Sequence, residues 1–358
     1  MNQKTLRLAL VVCLFPQIVR AQDSTRKLDF SGSADAYYRY NFSNNGTNNL
    51  TSFTNSQNSF ELGMATLRLD GSAMSGKVAA TLDIGFGRRA EEFSYNDGEA
   101  GSGRNGFLSL SNLKQLYISY SLNPSVKLTA GKFATHIGYE LLDAISNRNY
   151  SMSYLFTNGP FFHTGVKADV SLKHLGLMAG IANYTDQSAT TGSVKSLIGQ
   201  ISSGLADGSW KFYLNYVGSY GSQSLNIPGG LKSLSQVDMV LTGTLNPRWS
   251  VAVNATVQHR SNASGSGNWH GAALYLNYDP TSRLGLTLRN EWVHDPQQIL
   301  FSSTMLCEHT LSLNYHIGPI TLIPEIRFDH SKASLFLAKD GTGAKTTFSG
   351  LMAVTYKL

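Results

Sequence analysis

One stretch near the amino terminus alternates between two kinds of side chain. From Leu28 to Phe42 every even position is apolar, small or aromatic, while the odd positions are mostly polar, among them Asp29, Asp35 and Arg39. A period of two places successive side chains on opposite faces of a β-strand. Ordinary strands have roughly 5–6 residues, and a tilted strand crosses a bilayer with about 9–11. The pattern therefore predicts a long, membrane-crossing strand with two different faces.

The same alternation recurs down to the last residue, and connections of two lengths separate the repeats. Short connections carry turn residues, as in "NPS", "NPR" and "DPTS". Alternating short turns and long loops are typical of bacterial outer-membrane barrels of about 16 strands, with short periplasmic turns and long extracellular loops. The long, polar connections are expected at about 43–57, 88–111, 134–160, 185–194, 221–234, 261–267, 296–304 and 332–345.

Two irregularities interrupt the alternation. The apolar positions are even from Phe60 to Met64 but odd at Leu67 and Leu69, which predicts a one-residue bulge near Met64. Pro324 lacks the amide that a β-ladder needs, and we expect a second bulge there.

The interior of such a barrel can be wet. Lipid offers the backbone no hydrogen bonds, so a sheet within it must close on itself. At about 16 strands the interior is too wide for side chains to fill. A soluble β-sandwich or propeller is the alternative, although it does not need strands this long. Charged residues make up only 15% of the chain, against roughly 25% in ordinary domains.

Charged side chains on the non-apolar face are the candidate pore-lining residues, because a water-filled wall tolerates them and they bias which ions pass. They are Asp83, Lys167, Asp169, Arg289, Glu291, Glu325, Arg327 and Asp329. Lys114 and Lys132 are exceptions. Both have outward parity close to the long-loop end, where a long side chain reaches lipid head groups by snorkelling or by contact with lipopolysaccharide phosphates.

The third long loop, 134–160 between the fifth and sixth strands, differs from the rest. Its segment "GYELLDAISNRNYSMSYLF" mixes Glu140, Asp143 and Arg148 with many aromatic residues. The aromatic side chains must be buried, and the barrel wall is the nearest surface. We hypothesise that the loop folds inward and narrows the pore; a lid outside the barrel or packing against the rim is the alternative.

The expected partners of the loop's charges are Lys167 and Asp169. His163, at the start of the sixth strand, is the best placed of the nine histidines for a functional role, either lining the pore or anchoring the loop by a hydrogen bond. No nucleophile with a positioned base can be identified from the spacing of residues, so we predict that the protein is not an enzyme.

A family resemblance rests on the block "GKFATHIGYELLDAISNRNYSMSYLFTNGPFFHTGVKADV" at 131–170. It resembles the central motif of the OmpL-like β-barrel porins of Gram-negative bacteria, and "GLTLRNEWVHD" and "LIPEIRFDHS" resemble later strands of that family. The resemblance implies an outer-membrane porin for passive diffusion of small hydrophilic solutes and ions. It transfers no site residues. The chain ends in Leu358, where barrel proteins often end in Phe; Tyr356 and the alternation still suit the barrel-insertion machinery.

The amino terminus reads as an export signal. Residues 1–21 combine a basic start with an apolar run of about 12 residues, too short to span a membrane as a helix. Cleavage before Gln22 would leave the barrel at 22–358 with Cys307 as its one cysteine. We therefore expect no disulfide, metal or cofactor, and the absence of a Lys/Arg cluster argues against a nucleic-acid partner.

Other functions stay open at this point. A ligand-selective channel or a surface adhesin would use the long loops, and an outer-membrane hydrolase would carry its site on the rim. The expected partners are outer-membrane lipid and lipopolysaccharide. The sequence permits a homo-oligomer without fixing its subunit number, and it does not decide between cation and anion preference.

Overall fold

The chain folds into a closed antiparallel barrel of 16 strands, as the alternation predicts. The computed structural model describes residues 26–95, 110–189, 194–223, 231–262 and 265–358. Each barrel strand pairs with its neighbours in sequence, and the first strand closes the barrel against the last, with Tyr37 opposite Ala353. Closure leaves no free sheet edge in the membrane.

The strands are β1 (Lys27–Asn41), β2 (Ser59–Ala73), β3 (Val78–Phe86), β4 (Leu113–Asn123), β5 (Val126–Ala134), β6 (Phe162–Ser171), β7 (Leu175–Asn183), β8 (Lys195–Gly204), β9 (Trp210–Gln223), β10 (Leu231–Asn246), β11 (Trp249–Asn262), β12 (Gly265–Thr281), β13 (Leu284–His294), β14 (Met305–Ile317), β15 (Ile320–Ser331), β16 (Phe336–Leu337), β17 (Gly343–Ala344) and β18 (Thr346–Lys357). β16 and β17 form a separate two-stranded sheet in the last long connection.

Helices are short and lie in the connections. Among the described residues, two are α-helical, Arg88–Phe93 and Tyr154–Asn158. Four more in these described ranges are 3-10 turns: Gly46–Asn48, Met74–Gly76, Leu110–Asn112 and Ala144–Ser146. In the part of the chain that the structure describes, none of the helices has the length and apolar character to cross a membrane.

The two faces of the wall differ as expected. Leu116, Ile118 and Leu276 are exposed on the outer face, where lipid would surround them, whereas Asp238 and Asn254 are buried inside. The predicted bulge lies on β2: Asp35 pairs with Met64 and Ala36 with Leu62, so Gly63 is the extra residue.

The predicted bulge at Pro324 is wrong. β15 stays in register with β18, with Ile323 opposite Ala353 and Pro324 opposite Met352. The proline points outward, and its missing donor affects only the pairing with β14.

The outward orientation predicted for Lys114 is also wrong, because β4 carries a bulge. Asp83 pairs with Gln115 and Ile84 with Leu113, which leaves Lys114 as the extra residue. Its side chain turns inward and is only 2% exposed. Lys114 Nζ lies 3.1 Å from Asp83 and 2.6 Å from Asp143, so the lysine joins the wall to the third loop instead of reaching lipid.

Lys132 lies inside as well, with a side chain 3% exposed. Gly131 has φ +134°, in the region that favours glycine, and the alternation breaks after it so that Lys132 and Phe133 are both buried. Lys132 Nζ stands 3.9 Å from the ring centre of Phe162 and 5.5 Å from that of Phe93. A cation over an aromatic face is attracted to its π electrons.

The buried position of Lys114 gives a testable expectation. Lys114→Met removes the cation that Asp83 and Asp143 share. It should lower the free energy of unfolding by about 3 kcal/mol, the lower end for a broken buried ion pair, because Arg68, 3.8 Å from Asp83, still partly compensates that carboxylate. Urea unfolding of the protein in lipid vesicles measures this loss. Lys77→Met, at an exposed position beside a short turn, is the control; equal stability of the two variants would place Lys114 at the lipid interface after all.

Candidate functional site: a loop held inside the barrel

The segment between β5 and β6 folds into the barrel. Its two ends lie side by side, because the Thr135 amide donates to the Phe161 carbonyl at 3.1 Å. Between these residues, which we call the inner loop (residues 135–161), the chain crosses to the opposite wall and returns. Contacts with eight strands hold it there: β1, β4 and β10 to β15.

The first part of the inner loop crosses the barrel, and its backbone amides donate hydrogen bonds to the far wall. The Gly138 amide donates to Asp238 of β10 at 2.9 Å, and the Tyr139 amide donates to Asn254 of β11 at 3.3 Å. The ring of Tyr139 then packs against Tyr275 of β12, with 4.4 Å between the centroids. The loop is not part of a β-ladder, so its amides use side-chain acceptors on the barrel wall.

Two wall carboxylates hold the returning part by its backbone. Glu291 of β13 accepts from the amides of Tyr154 at 2.6 Å and Leu155 at 2.7 Å. Glu325 of β15 accepts from the amide of Tyr150 at 2.8 Å. Hydrogen bonds to charged groups contribute about 1.5–3 kcal/mol each. These acids therefore serve as fixed clamps on the loop.

Two tyrosine hydroxyls of the inner loop reach wall acids. Tyr150 donates to Asp35 of β1, and Tyr154 donates to Asp329 of β15 at 2.6 Å. The bulge at Gly63 makes room for the first contact, because a Cβ at that position would overlap both the Asp35 carboxylate and the Tyr150 hydroxyl.

Arg289 of β13 is the centre of the attachment and is fully buried. Its Nη1 donates to Glu140 Oε1 at 2.6 Å and to the Ser151 carbonyl at 2.7 Å, and its Nε donates to Glu308. The other oxygen of Glu140 accepts from both the amide and the hydroxyl of Ser153 at 2.8 Å. One cation therefore compensates two buried carboxylates and holds two points of the loop.

Arg327 of β15 performs a similar task. Its Nη1 donates to the Met152 carbonyl at 2.8 Å, and its Nη2 lies 2.8 Å from Asp329. The guanidinium also stands over the ring of Tyr154 at 4.9 Å from the centroid. The two arginines together fix the carbonyls of adjacent loop residues.

The inner loop reaches far down the barrel. Arg148 forms an ion pair with Asp279, near the short-turn end of β12, and its carbonyl accepts from Asn314 at 2.8 Å. Asp143 reaches the other side, to Lys114 of β4. The loop therefore touches both walls and extends toward the periplasmic end.

The expected meeting of the loop charges with Lys167 and Asp169 does not occur. These two residues of β6 pair with each other at 3.1 Å, because the inner loop leaves that wall at once and is clamped to the opposite one. Arg68 and Asp70 of β2 likewise pair at 2.6 Å. All four side chains stay 22–39% exposed, so they face the part of the interior that the loop leaves open.

His163 lies at the base of the inner loop and is 1% exposed. Its Nε2 is 3.3 Å from the Thr135 hydroxyl, and its ring centre is 5.3 Å from that of His136. His136 Nε2 lies 3.0 Å from the Tyr216 carbonyl, and burial lowers the pKa of His136 to about 4. His136 is therefore neutral at pH 7, and the pair sits where the loop leaves the wall.

Five acids that hold or face the inner loop were not singled out from the sequence: Asp35, Asp186, Asp238, Asp279 and Glu308. Parity could have found some of them, since Asp35 occupies an odd, inward position of the first alternating run. The loop partners of Asp35, Asp238 and Asp279 could not be found, because they lie 100 to 131 residues away in the sequence.

A closed 16-stranded barrel with a polar interior and a loop fixed inside it defines an outer-membrane channel of the porin class. The chain belongs to the family described as "Putative beta-barrel porin-2, OmpL-like", whose model matches residues 27–358. Family and fold thus identify an outer-membrane porin, for which passive diffusion through a water-filled channel is the fitting activity, and they point to a channel instead of an enzyme.

Solved structures share the fold at low sequence identity. The outer membrane channel DcaP of Acinetobacter baumannii has a TM-score of 0.61 at 12% identity, covering 94% of this chain and 99% of that one. An anion-selective porin from Comamonas acidovorans has a TM-score of 0.62 at 11% identity, covering 93% and 100%. OmpT of Vibrio cholerae in a trimer form has a TM-score of 0.60 at 9% identity, covering 93% and 99%. No curated protein matches the chain in sequence.

Proposed function

We propose that small hydrophilic solutes and ions diffuse through the space beside β2 to β8, and that the inner loop sets the size limit of this passage. The asymmetry of the interior supports the proposal. Most loop clamps lie on β10 to β15 and β1, whereas the charge pairs of β2 and β6 remain partly exposed. These two exposed pairs mark the wall along which we place the passage.

The loop charges and the wall charges have separate tasks in this proposal. Glu140, Asp143 and Arg148 belong to the narrowing, and each is paired with an opposite wall charge that fixes the loop's shape. Five of the predicted pore-lining residues act as loop clamps: Arg289, Glu291, Glu325, Arg327 and Asp329. Asp83 is held by Lys114. The charges that bias which ions use the open passage are then Arg68, Asp70, Lys167 and Asp169.

Single-residue changes at the open pair test which charges set ion preference. In a KCl gradient across a planar bilayer, Lys167→Gln should move the reversal potential toward cation selectivity, and Asp169→Asn should move it the other way. Lys173→Gln, in the exposed turn after β6, makes the same charge change outside the passage and should leave the potential as it is. Identical reversal potentials in all three variants would show that the ions take another path.

Export and surroundings complete the proposal. Residues 1–21 would act as a signal peptide and be removed; they lie outside the described residues, and amino-terminal sequencing of the membrane-inserted protein should begin at Gln22. The outer belt of apolar side chains suits outer-membrane lipid and lipopolysaccharide, and the alternating last strand suits the barrel-insertion machinery. A homo-oligomer is consistent with the trimer form of the similar OmpT structure.

A further inference from the structure

A cavity of about 350 Å³ opens in the extracellular mouth of the barrel, above the inner loop. It lies where the returning end of the inner loop meets the long connections after β1, β3 and β7 and the outer ends of β10 and β11. We call it the mouth cavity; its lining includes Glu92, Tyr95, Asn158, Phe161, Asp186 and Arg260. Its volume falls within the range of about 300–1,000 Å³ that small-molecule sites have.

Arg260 of β11 lines this cavity, and Asp186 and Asp295 act on its charge only from beyond ion-pair distance. Its Nη2 donates to the Asn158 carbonyl at 3.1 Å, and its Nε donates to Gln258 at 3.0 Å. Both acceptors are neutral. Within the described ranges, no carboxylate lies within 4.0 Å of its guanidinium. A guanidinium held rigid by neutral acceptors is suited to bind a carboxylate that arrives with a solute.

Glu92 provides the opposite charge. It is half-buried, and its carboxylate accepts from the Phe53 amide at 2.6 Å and from the Asn55 side chain at 2.9 Å, both neutral donors. Glu92 and Arg260 line the same cavity, yet they form no ion pair within 4.0 Å among the described residues. The two charges therefore line one cavity without neutralising each other in a direct ion pair.

The remaining acid of the cavity has a structural task. Asp186 is 4% exposed and accepts from the amides of Phe161 at 2.6 Å and Phe162 at 3.0 Å. It fixes the end of the inner loop at the cavity floor. Tyr95 and Phe161 add aromatic surface, with 6.3 Å between their ring centres. The lining thus combines one cation, one available anion and an apolar strip.

We propose that the mouth cavity binds zwitterionic solutes, namely amino acids or short peptides, before they enter the passage. Arg260 would receive the carboxylate and Glu92 the ammonium group, and the aromatic strip would contact the part between them. A simple anion would be attracted by Arg260 but repelled by Glu92. A simple cation would be attracted by Glu92 but repelled by Arg260. This inference deepens the proposed function and rests on it, since the bound solute is the one about to permeate.

Binding of three related peptides to the full-length protein in detergent micelles tests the proposal. Isothermal titration should show that alanylalanine binds at least about tenfold more tightly than N-acetyl-alanylalanine or alanylalaninamide, because each derivative loses one charged hydrogen-bonding group. Arg260→Gln should abolish the preference over the amide and keep the preference over the acetylated peptide. Glu92→Gln should do the reverse. Arg248→Gln, in an exposed short turn, should change neither preference.

This crossed pattern cannot come from misfolding, which would weaken all three peptides alike. Equal binding of the three peptides, or no binding to a protein that conducts normally in a bilayer, would overturn the proposal. Absence of conductance with the crossed binding pattern intact would instead refute the proposed function and leave the site standing.

Discussion

Excision of residues 138–158 with a short Gly–Ser linker should raise the single-channel conductance severalfold. The design is feasible because the ends of the inner loop already lie together, with the Thr135 amide donating to the Phe161 carbonyl at 3.1 Å. The excised segment fills the interior along β10 to β15, and water would replace it. Planar-bilayer recording in KCl measures the step size of the wild type and the variant side by side.

The excision variant must still be a barrel for the comparison to count. Slower migration after heating in detergent, which reports unfolding of a closed β-barrel, serves as the control. The wall acids of the excision variant are hydrated once the loop is gone, so their charges do not prevent closure of the barrel. An intact variant whose step size equals that of the wild type would show that the inner loop does not limit the flow of ions.

Arg289→Met should lower the free energy of unfolding by about 3–5 kcal/mol, the cost of leaving buried charges without their partner. Arg289 is fully buried and compensates both Glu140 and Glu308, and it also holds the Ser151 carbonyl. Loss of Arg289 leaves two buried carboxylates without a cation and releases the loop at two points. Urea unfolding in lipid vesicles measures the change, and recordings of the same variant should become noisier as the loop moves.

Two comparisons separate burial from charge. Arg68→Met removes an arginine from a pair whose side chains are 34% and 39% exposed, so it should cost about 1 kcal/mol or less. Arg289→Lys keeps the charge but loses the planar fork and should recover only part of the stability. A similar loss for Arg289→Met and Arg68→Met would contradict the central role of Arg289 in holding the loop.

The barrel itself could be predicted from the sequence because one physical rule controls it. A period of two over long runs is compatible with only one arrangement in lipid, a sheet closed on itself, and the repeat count then gave the strand number. The bulge at Gly63 was visible as a change of parity. The bulge at Lys114 was not, since a single lysine near a strand end reads equally well as a side chain that reaches head groups.

The inner loop shows where sequence reasoning stops. Its aromatic residues indicated burial against the wall, and the structure places them there. Its partners could not be assigned, because Tyr150 meets Asp35 and Tyr154 meets Asp329 across separations of 115 and 175 residues. Parity says which side chains face inward, but it does not say which wall a loop will cross to. The error about Lys167 and Asp169 came from assuming the nearest wall.

In our proposal, a water-filled passage remains beside a loop fixed inside a closed barrel. The current through the purified wild-type protein in a planar bilayer tests this most directly, measured at several voltages and at two KCl concentrations. We predict steady channels whose current rises in proportion to voltage and whose conductance scales with the salt concentration. A folded, heat-modifiable barrel that inserts into the bilayer and passes no current would show that no such passage exists.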